Sequence, residues 1–406
     1  MPAADPSSEP STRRAASWPA LEEFSLVLGG PLYQLLRRAH LEESVETHLL
    51  RRIVVLSALA WLPLLVLSAF EGAAFGGPDM PFIADVETHI RFLLVVPLFI
   101  VAELVVHRRI RGVIVQFIDR GLVPDAGLDR FRAAVDSAIR WRNSIPAELV
   151  LIVLVYSLGT FIRGDVLVLH TQTWYSRTDG GVVDVTAAGH WLQWVSNPVM
   201  QFLLLRWYYR IFIWARFLWQ VSRIDLALMP THPDRNAGLG FLSGSAYALS
   251  PLLMAHGATV AAYAANLIFY EGASLADFKL EIVVLVTFLL ALIVGPLTVF
   301  APKILAAKRK GLHEYGVLAA DYARKFERRW VRTADHEDEE LLGSADIQSL
   351  ADLDASVGIV KSITALPVGR DLILQLILAT VVPFAPLLLT MFPLEELLNR
   401  IIGAVF

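Results

Sequence analysis

Cysteine is absent from this 406-residue chain, and charge is scarce. Without cysteine there is no disulfide framework, no thiolate zinc site and no catalytic thiol. Only 18% of residues are charged while 55% are hydrophobic. A soluble domain carries about a quarter charged residues, so the shortfall implies that much of the surface faces something other than water. An excess of basic residues is missing too: 35 Lys and Arg stand against 39 Asp and Glu, a formal net charge of -4. That balance argues against nucleic acid as a partner, because phosphate binding needs a basic field. P-loop, HExxH, GxSxG and kinase patterns are also missing. No metal-ligand spacing occurs, so neither a metal nor a cofactor is expected.

What the sequence has is long apolar runs. A hydrocarbon core of roughly 30 Å needs about 20 helical residues. Seven segments approach that length: Ile53–Phe70, Phe92–Val106, Ile145–Ile162, Trp191–Ala215, Phe241–Tyr270, Leu280–Leu305 and Leu372–Phe392. The expected fold is an all-α membrane protein, a bundle of about seven transmembrane helices with a cytoplasmic helical insert at 306–370. Residues 1–20, rich in Pro, Ser, Ala and Glu, read as a disordered tail without a signal peptide. Residues 21–52 read as a cytoplasmic interfacial segment, including a short helix at 31–39. Six spans occupy 53–305, and 371–406 holds the seventh and an external C-terminus.

Lys and Arg alternate between loops, which sets orientation. The loops at 107–142, 216–240 and 306–370 are arginine- or lysine-rich. The loop at 71–90 has neither, and those at 163–190 and 271–279 have few. The N-terminus is therefore expected in the cytoplasm, and the lipid bilayer is the expected surrounding. Residues 127–142 place Phe131, Val135, Ala138 and Trp141 at helical spacing, as in a second interfacial helix. The stretch 165–188 reads as an external hairpin turning at Thr178-Asp179-Gly180-Gly181. Residues 311–331, with Tyr315, Leu318, Tyr322, Phe326 and Trp330, read as an amphipathic continuation of the sixth span. The acidic run 335–340 reads as a solvated linker.

Charged side chains inside spans are costly and point to function. Glu103, Glu148, Arg206, Arg210 and His256 are the candidates. Glu103 closes the second span, Glu148 opens the third, and Arg206 and Arg210 share one face of the fourth. All four charges fall near the cytoplasmic face, where they line a polar vestibule or neutralise one another within the bundle. His256 reads more simply as a packing residue. The loop before the fifth span, Pro230-Thr-His232-Pro233-Asp234-Arg235-Asn236-Ala-Gly238-Leu-Gly240-Phe241, is dense in turn formers. His232, Asp234 and Arg235 either serve chemistry or belong to a rigid turn in which Asp234 or Asn236 caps the fifth helix. That helix carries a small-residue stripe, Gly240, Gly244, Ala248, Gly257, Ala261 and Ala265. It suits close packing inside the chain or a homo-oligomer.

This loop, the helix around Tyr315–Trp330 and the stretch Gly343-Ser-Ala-Asp346-Ile-Gln348-Ser-Leu-Ala-Asp352-Leu together resemble an uncharacterised family of bacterial multi-span inner-membrane proteins. The resemblance covers most of the chain from the second span onward. It implies a bacterial inner membrane and no particular activity. Three functions stay open: a transporter or channel with a cytoplasm-facing polar vestibule, a membrane-embedded enzyme acting on a lipid-type substrate, and a sensor or scaffold docking a partner through 306–370.

Overall fold

The computed structural model describes residues 24–27, 29, 45–162, 172–179, 182–332 and 345–391. The tail at 1–20, the helix at 31–39 and the acidic run at 335–340 lie outside these residues. Within them the protein is almost wholly helical. The principal helices are α1 (Val45–Phe70), α2 (Val86–Asp119), α3 (Leu128–Arg142), α4 (Ile145–Ile162), α5 (Asn197–Val221), α6 (Ser250–Tyr270), α7 (Lys279–Val294), α8 (Ala301–Phe326), α9 (Ala345–Ser362) and α10 (Arg370–Val381). The only sheet among the described residues is the hairpin β1 (Ser176–Asp179) and β2 (Val182–Val185), paired antiparallel from Ser176↔Val185 to Asp179↔Val182.

Five runs are long and apolar enough to cross a membrane: Leu49–Phe70, Val86–Asp119, Gly240–Tyr270, Leu275–Val331 and Arg370–Thr390. The protein is a helical, membrane-embedded one. Two expected spans fall outside this set. The described apolar part of α4 stops at Ser157, and α5 carries Arg206, Arg210 and Arg216. The faces of α4 and α7 nonetheless leave Leu149, Val150, Val153, Leu280, Val283 and Val284 open, an apolar belt larger than water tolerates.

Proline shapes several helices. A π turn at Arg91–Val95 precedes Pro97, and another at Leu192–Ser196 precedes Pro198. Proline lacks an N–H and its ring crowds the carbonyl four residues back, so the extra residue in the turn absorbs the clash. Pro296 similarly starts a 3-10 stretch, Gly295–Phe300, that joins α7 to α8. The expected continuation of the sixth span into an amphipathic helix is therefore present, and α9 packs along it.

The fifth span is not one helix. Gly240–Leu242 and Ser243–Tyr247 form short turns before α6 begins at Ser250. The Gly240/Gly244 pair is thus separated from the rest of the stripe, which is used inside the chain. α10 crosses α6 at Gly257 so closely that a Cβ there would lie 2.0 Å from the Thr380 carbonyl oxygen. Ala261, Ala264 and Ala265 pack with Phe384 and Leu387 just beyond α10. Helix α3 lays its apolar face on α5, with Phe131, Val135 and Ala138 buried.

Loops group at two ends. At one end Asp85 gathers Trp174 Nε1 (2.9 Å), Asn266 Nδ2 (2.8 Å) and both donors of Thr88. Those residues come from the segment 71–90, the hairpin and the end of α6. At the other end Ala227 donates to Leu122 (2.8 Å), Lys303 to Ile224, and Thr364 to Arg235 (3.0 Å). The three arginine- and lysine-rich segments therefore meet at one end, and the poorly basic ones at the other.

Candidate functional site

The charges expected inside the bundle come together. Arg52 Nη2 of α1 lies 2.7 Å from Glu103 Oε2, and Arg210 Nη1 lies 2.8 Å from Glu103 Oε1. Arg206 stands between the two acids, 3.7 Å from Glu103 and 3.8 Å from Glu148. All four originally expected residues are buried. Arg206 and Arg210 meet on one face because they are four residues apart on α5. Glu103 reaches them from α2 and Glu148 from the first turn of α4. Arg210 also lies over the Trp207 ring, 5.0 Å from its centroid, where a guanidinium is attracted by the π face.

The rest of the site was not legible in spacing. Residues 24–27 and 29 lie against this cluster. Arg142 Nη1 donates to Ser25 O (2.5 Å), Arg210 Nη2 to Val27 O (3.3 Å) and Arg206 Nη2 to Gly29 O (3.3 Å). The carbonyls of Ser25, Val27 and Gly29 thus meet three guanidiniums. Gly29 has φ 139° and lies so near Arg142 that a Cβ would fall 2.6 Å from the guanidinium carbon. Phe24 anchors the segment at 6.2 Å from Phe217, within an aromatic stack that continues through Phe131 and Phe117. Ser25 Oγ lies 2.9 Å from His107 Nδ1.

Three guanidiniums, from Arg52, Arg206 and Arg210, share two carboxylates, and Arg142 stands at the edge. A small cleft bordered by Gly29, Arg142, Glu148, Arg206, Tyr209, Arg210 and Ile213 lies beside them, with a cavity volume of about 10 Å³, about that of one water-sized sphere. Arg206 and Arg210 thus each pair with a carboxylate and also donate to a backbone carbonyl.

His256 stands apart from the cluster. Its Nδ1 lies 2.7 Å from Leu252 O, a pure acceptor, so Nδ1 carries the proton. Nε2 then accepts from Tyr208 OH at 2.9 Å. Both ring nitrogens are satisfied, as expected of a packing histidine.

The loop at 230–241 is built around Asp234. Its Oδ1 accepts from Asn236 N (2.9 Å) and Gly238 N (3.1 Å), and its Oδ2 from Gly240 N (2.8 Å). Burial pushes this carboxyl up. The amides of Asn236, Gly240 and Gly238, with His232 beside them, outweigh burial and hold it below the ordinary aspartate range. His232 Nδ1 lies 3.0 Å from Oδ1, folded back on its own turn. Arg235 and Ala237 both sit at φ 55°, a left-handed conformation costly for residues with a Cβ. The carboxylate's three hydrogen bonds hold them there. Asn236 Nδ2 then reaches Thr364 Oγ1 (2.8 Å) and Leu366 O (2.9 Å), tying the loop to the chain after α9. The geometry is that of a structural junction, with Asp234 capping the first residue of the following turn. Among the described residues no group of three or more His, Asp or Glu could hold a metal ion.

No protein-family model, curated protein or solved structure matches this chain. The class of protein is defined by the fold: a helical membrane-embedded protein with a buried arginine–glutamate cluster at one end of its bundle.

Proposed function

We propose that the protein is a transporter or channel for an anionic solute in a bacterial inner membrane, with seven crossings, a cytoplasmic N-terminus and a vestibule formed by Arg52, Glu103, Arg142, Glu148, Arg206 and Arg210. The observation that carries this reading is that, among the described residues, three buried guanidiniums, of Arg52, Arg206 and Arg210, share two carboxylates, with the carbonyls of Val27 and Gly29 on Arg210 and Arg206. Burying charge is expensive, and a purely structural cluster would be cheaper if balanced. Residues 24–27 and 29 then act as the plug of a closed state. The grouping of the basic segments at one end supports the seven-crossing topology with that end in the cytoplasm. The enzyme reading has less support, because the Asp234 carboxylate is committed to backbone amides.

The test is flux from proteoliposomes loaded with chloride, phosphate or sulfate. The full-length protein should pass at least one of these anions, and the neutralised pair Glu103→Met/Arg210→Met should pass it more slowly. Absence of flux for all three, together with no anion-dependent thermal stabilisation, would overturn the reading.

A further inference from the structure

Three of the helices that carry the charges, α1, α4 and α5, also form an apolar groove. It is lined by Leu56 of α1, Ile152, Val155 and Tyr156 of α4, and Val199, Phe202 and Leu203 of α5, with Trp194 and Val195 from the π turn before α5. Its cavity volume is about 400 Å³, and its walls are almost entirely apolar. Tyr156 stacks on Trp194, 6.4 Å between centroids, at its far part.

The groove and the charge cluster are neighbours by helix geometry. Leu56 follows Arg52 by four residues, Ile152 follows Glu148 by four, and Phe202 precedes Arg206 by four. Each pair shares a helix face one turn apart. From Arg206 to Trp194 the helix covers about 18 Å at 1.5 Å per residue. The groove itself has no charged lining, and Arg52, Arg206 and the acid Glu148 lie one helical turn beyond it. Arg52 bonds Glu103 through Nη2 while its buried Nε has no partner among the described residues.

We infer that the groove between α1, α4 and α5 binds an anionic glycerophospholipid, with one acyl chain along Leu56, Val155, Val199 and Trp194 and the phosphate at Arg52 and Arg206. A neutral lipid satisfies the apolar walls but brings no net charge to the guanidiniums. A soluble anion meets the guanidiniums but leaves the walls to other occupants. The lipid acts as a resident ligand that fills the groove between α1, α4 and α5. This site shares arginines with the vestibule but does not require that anything be transported.

Trp194 supplies the probe. The full-length protein is reconstituted in phosphatidylcholine vesicles containing either brominated phosphatidylglycerol or brominated phosphatidylcholine at equal mole fraction. The Trp194 signal is taken as the difference from Trp194→Phe. Quenching by the anionic lipid should exceed that by the neutral lipid, with an affinity ratio of about fivefold, the factor one basic side chain contributes at an anionic surface. Arg52→Gln should abolish the preference and Arg52→Lys should keep most of it. Val199→Phe, which fills the groove, should reduce quenching by both lipids. Equal quenching by the two lipids, unchanged in Arg52→Gln, would overturn the site. Anion flux without lipid preference overturns this inference alone, and lipid preference without flux overturns only the transport reading.

Discussion

Arg210 bridges two parts of the chain that lie far apart in sequence: one amino group is 2.8 Å from Glu103 of α2 and the other donates to the Val27 carbonyl at 3.3 Å. The pair is both a structural tie and the floor on which residues 24–27 and 29 rest. Its two roles separate by mutation.

Glu103→Gln should be strongly destabilising, by about 3–5 kcal/mol, because it leaves buried guanidinium charge uncompensated. Arg52, Arg206 and Arg210 all lie within 3.7 Å of this one carboxylate. Adding Arg210→Met should restore part of the loss. Thermal unfolding in detergent checks both. Equal melting temperatures for the wild type and both variants would contradict the pairing.

In the loop at 230–241, Asp234→Ala should lower stability by about 1–3 kcal/mol through three unsatisfied or resolvated amides, whereas His232→Ala should change it little. The pH dependence follows from the depressed Asp234 pKa. A carboxyl held below its unfolded value contributes stability fully above the unfolded pKa, near 3.9. That contribution disappears as pH falls through the folded value. Acid titration of the unfolding transition should therefore show a component lost below about pH 4 in the wild type and absent in Asp234→Asn.

Two glycines of the stripe should behave differently. Gly257→Ala would drive a methyl to 2.0 Å from Thr380 O and push α10 off α6, while at Gly244 the nearest atom, on Val113, is an ordinary 3.8 Å away. A cost of about 1–3 kcal/mol is expected for overpacking at Gly257 and little at Gly244. Equal tolerance at both positions, judged by melting temperature, would remove the α6–α10 contact from the account.

Much of this was legible in the sequence, and the rest was hidden for physical reasons. Glu103, Glu148, Arg206 and Arg210 announced themselves because charge within an apolar run has no cheap explanation. Arg52 and Arg142 did not, since arginines flanking a span look like ordinary topological signals. The role of residues 24–27 and 29 rests on backbone carbonyls, which every residue has, so no side-chain pattern reveals it. Asp85 looked like one acid in an acidic loop, although it joins three segments through Trp174, Thr88 and Asn266. Proline effects were hidden at Pro97 and Pro198, which follow π turns within continuing helices. The apparent single span at 241–270 hid its break at 248–249, because apolar turns and apolar helices share a composition.

The proposed sidedness, with the basic segments in the cytoplasm, has a direct test. A single cysteine at Arg120, in a chain that has none of its own, should resist membrane-impermeant maleimide in intact cells. One at Asp79 should react. The reverse pattern would invert the topology and place the arginine cluster at the external face.

The central claim is that residues 24–27 and 29 close an anion-binding vestibule. Ser25 is buried, with its carbonyl on Arg142 and its hydroxyl beside His107. A Ser25→Cys variant in inside-out vesicles should react slowly with maleimide. Its rate should rise when chloride, phosphate or sulfate is added at constant ionic strength against a large organic anion, because the anion replaces the carbonyls at the guanidiniums. The same rise should vanish in Ser25→Cys/Arg142→Gln/Arg206→Gln. A labelling rate that none of the three anions changes, in protein that unfolds like the wild type, would contradict the account.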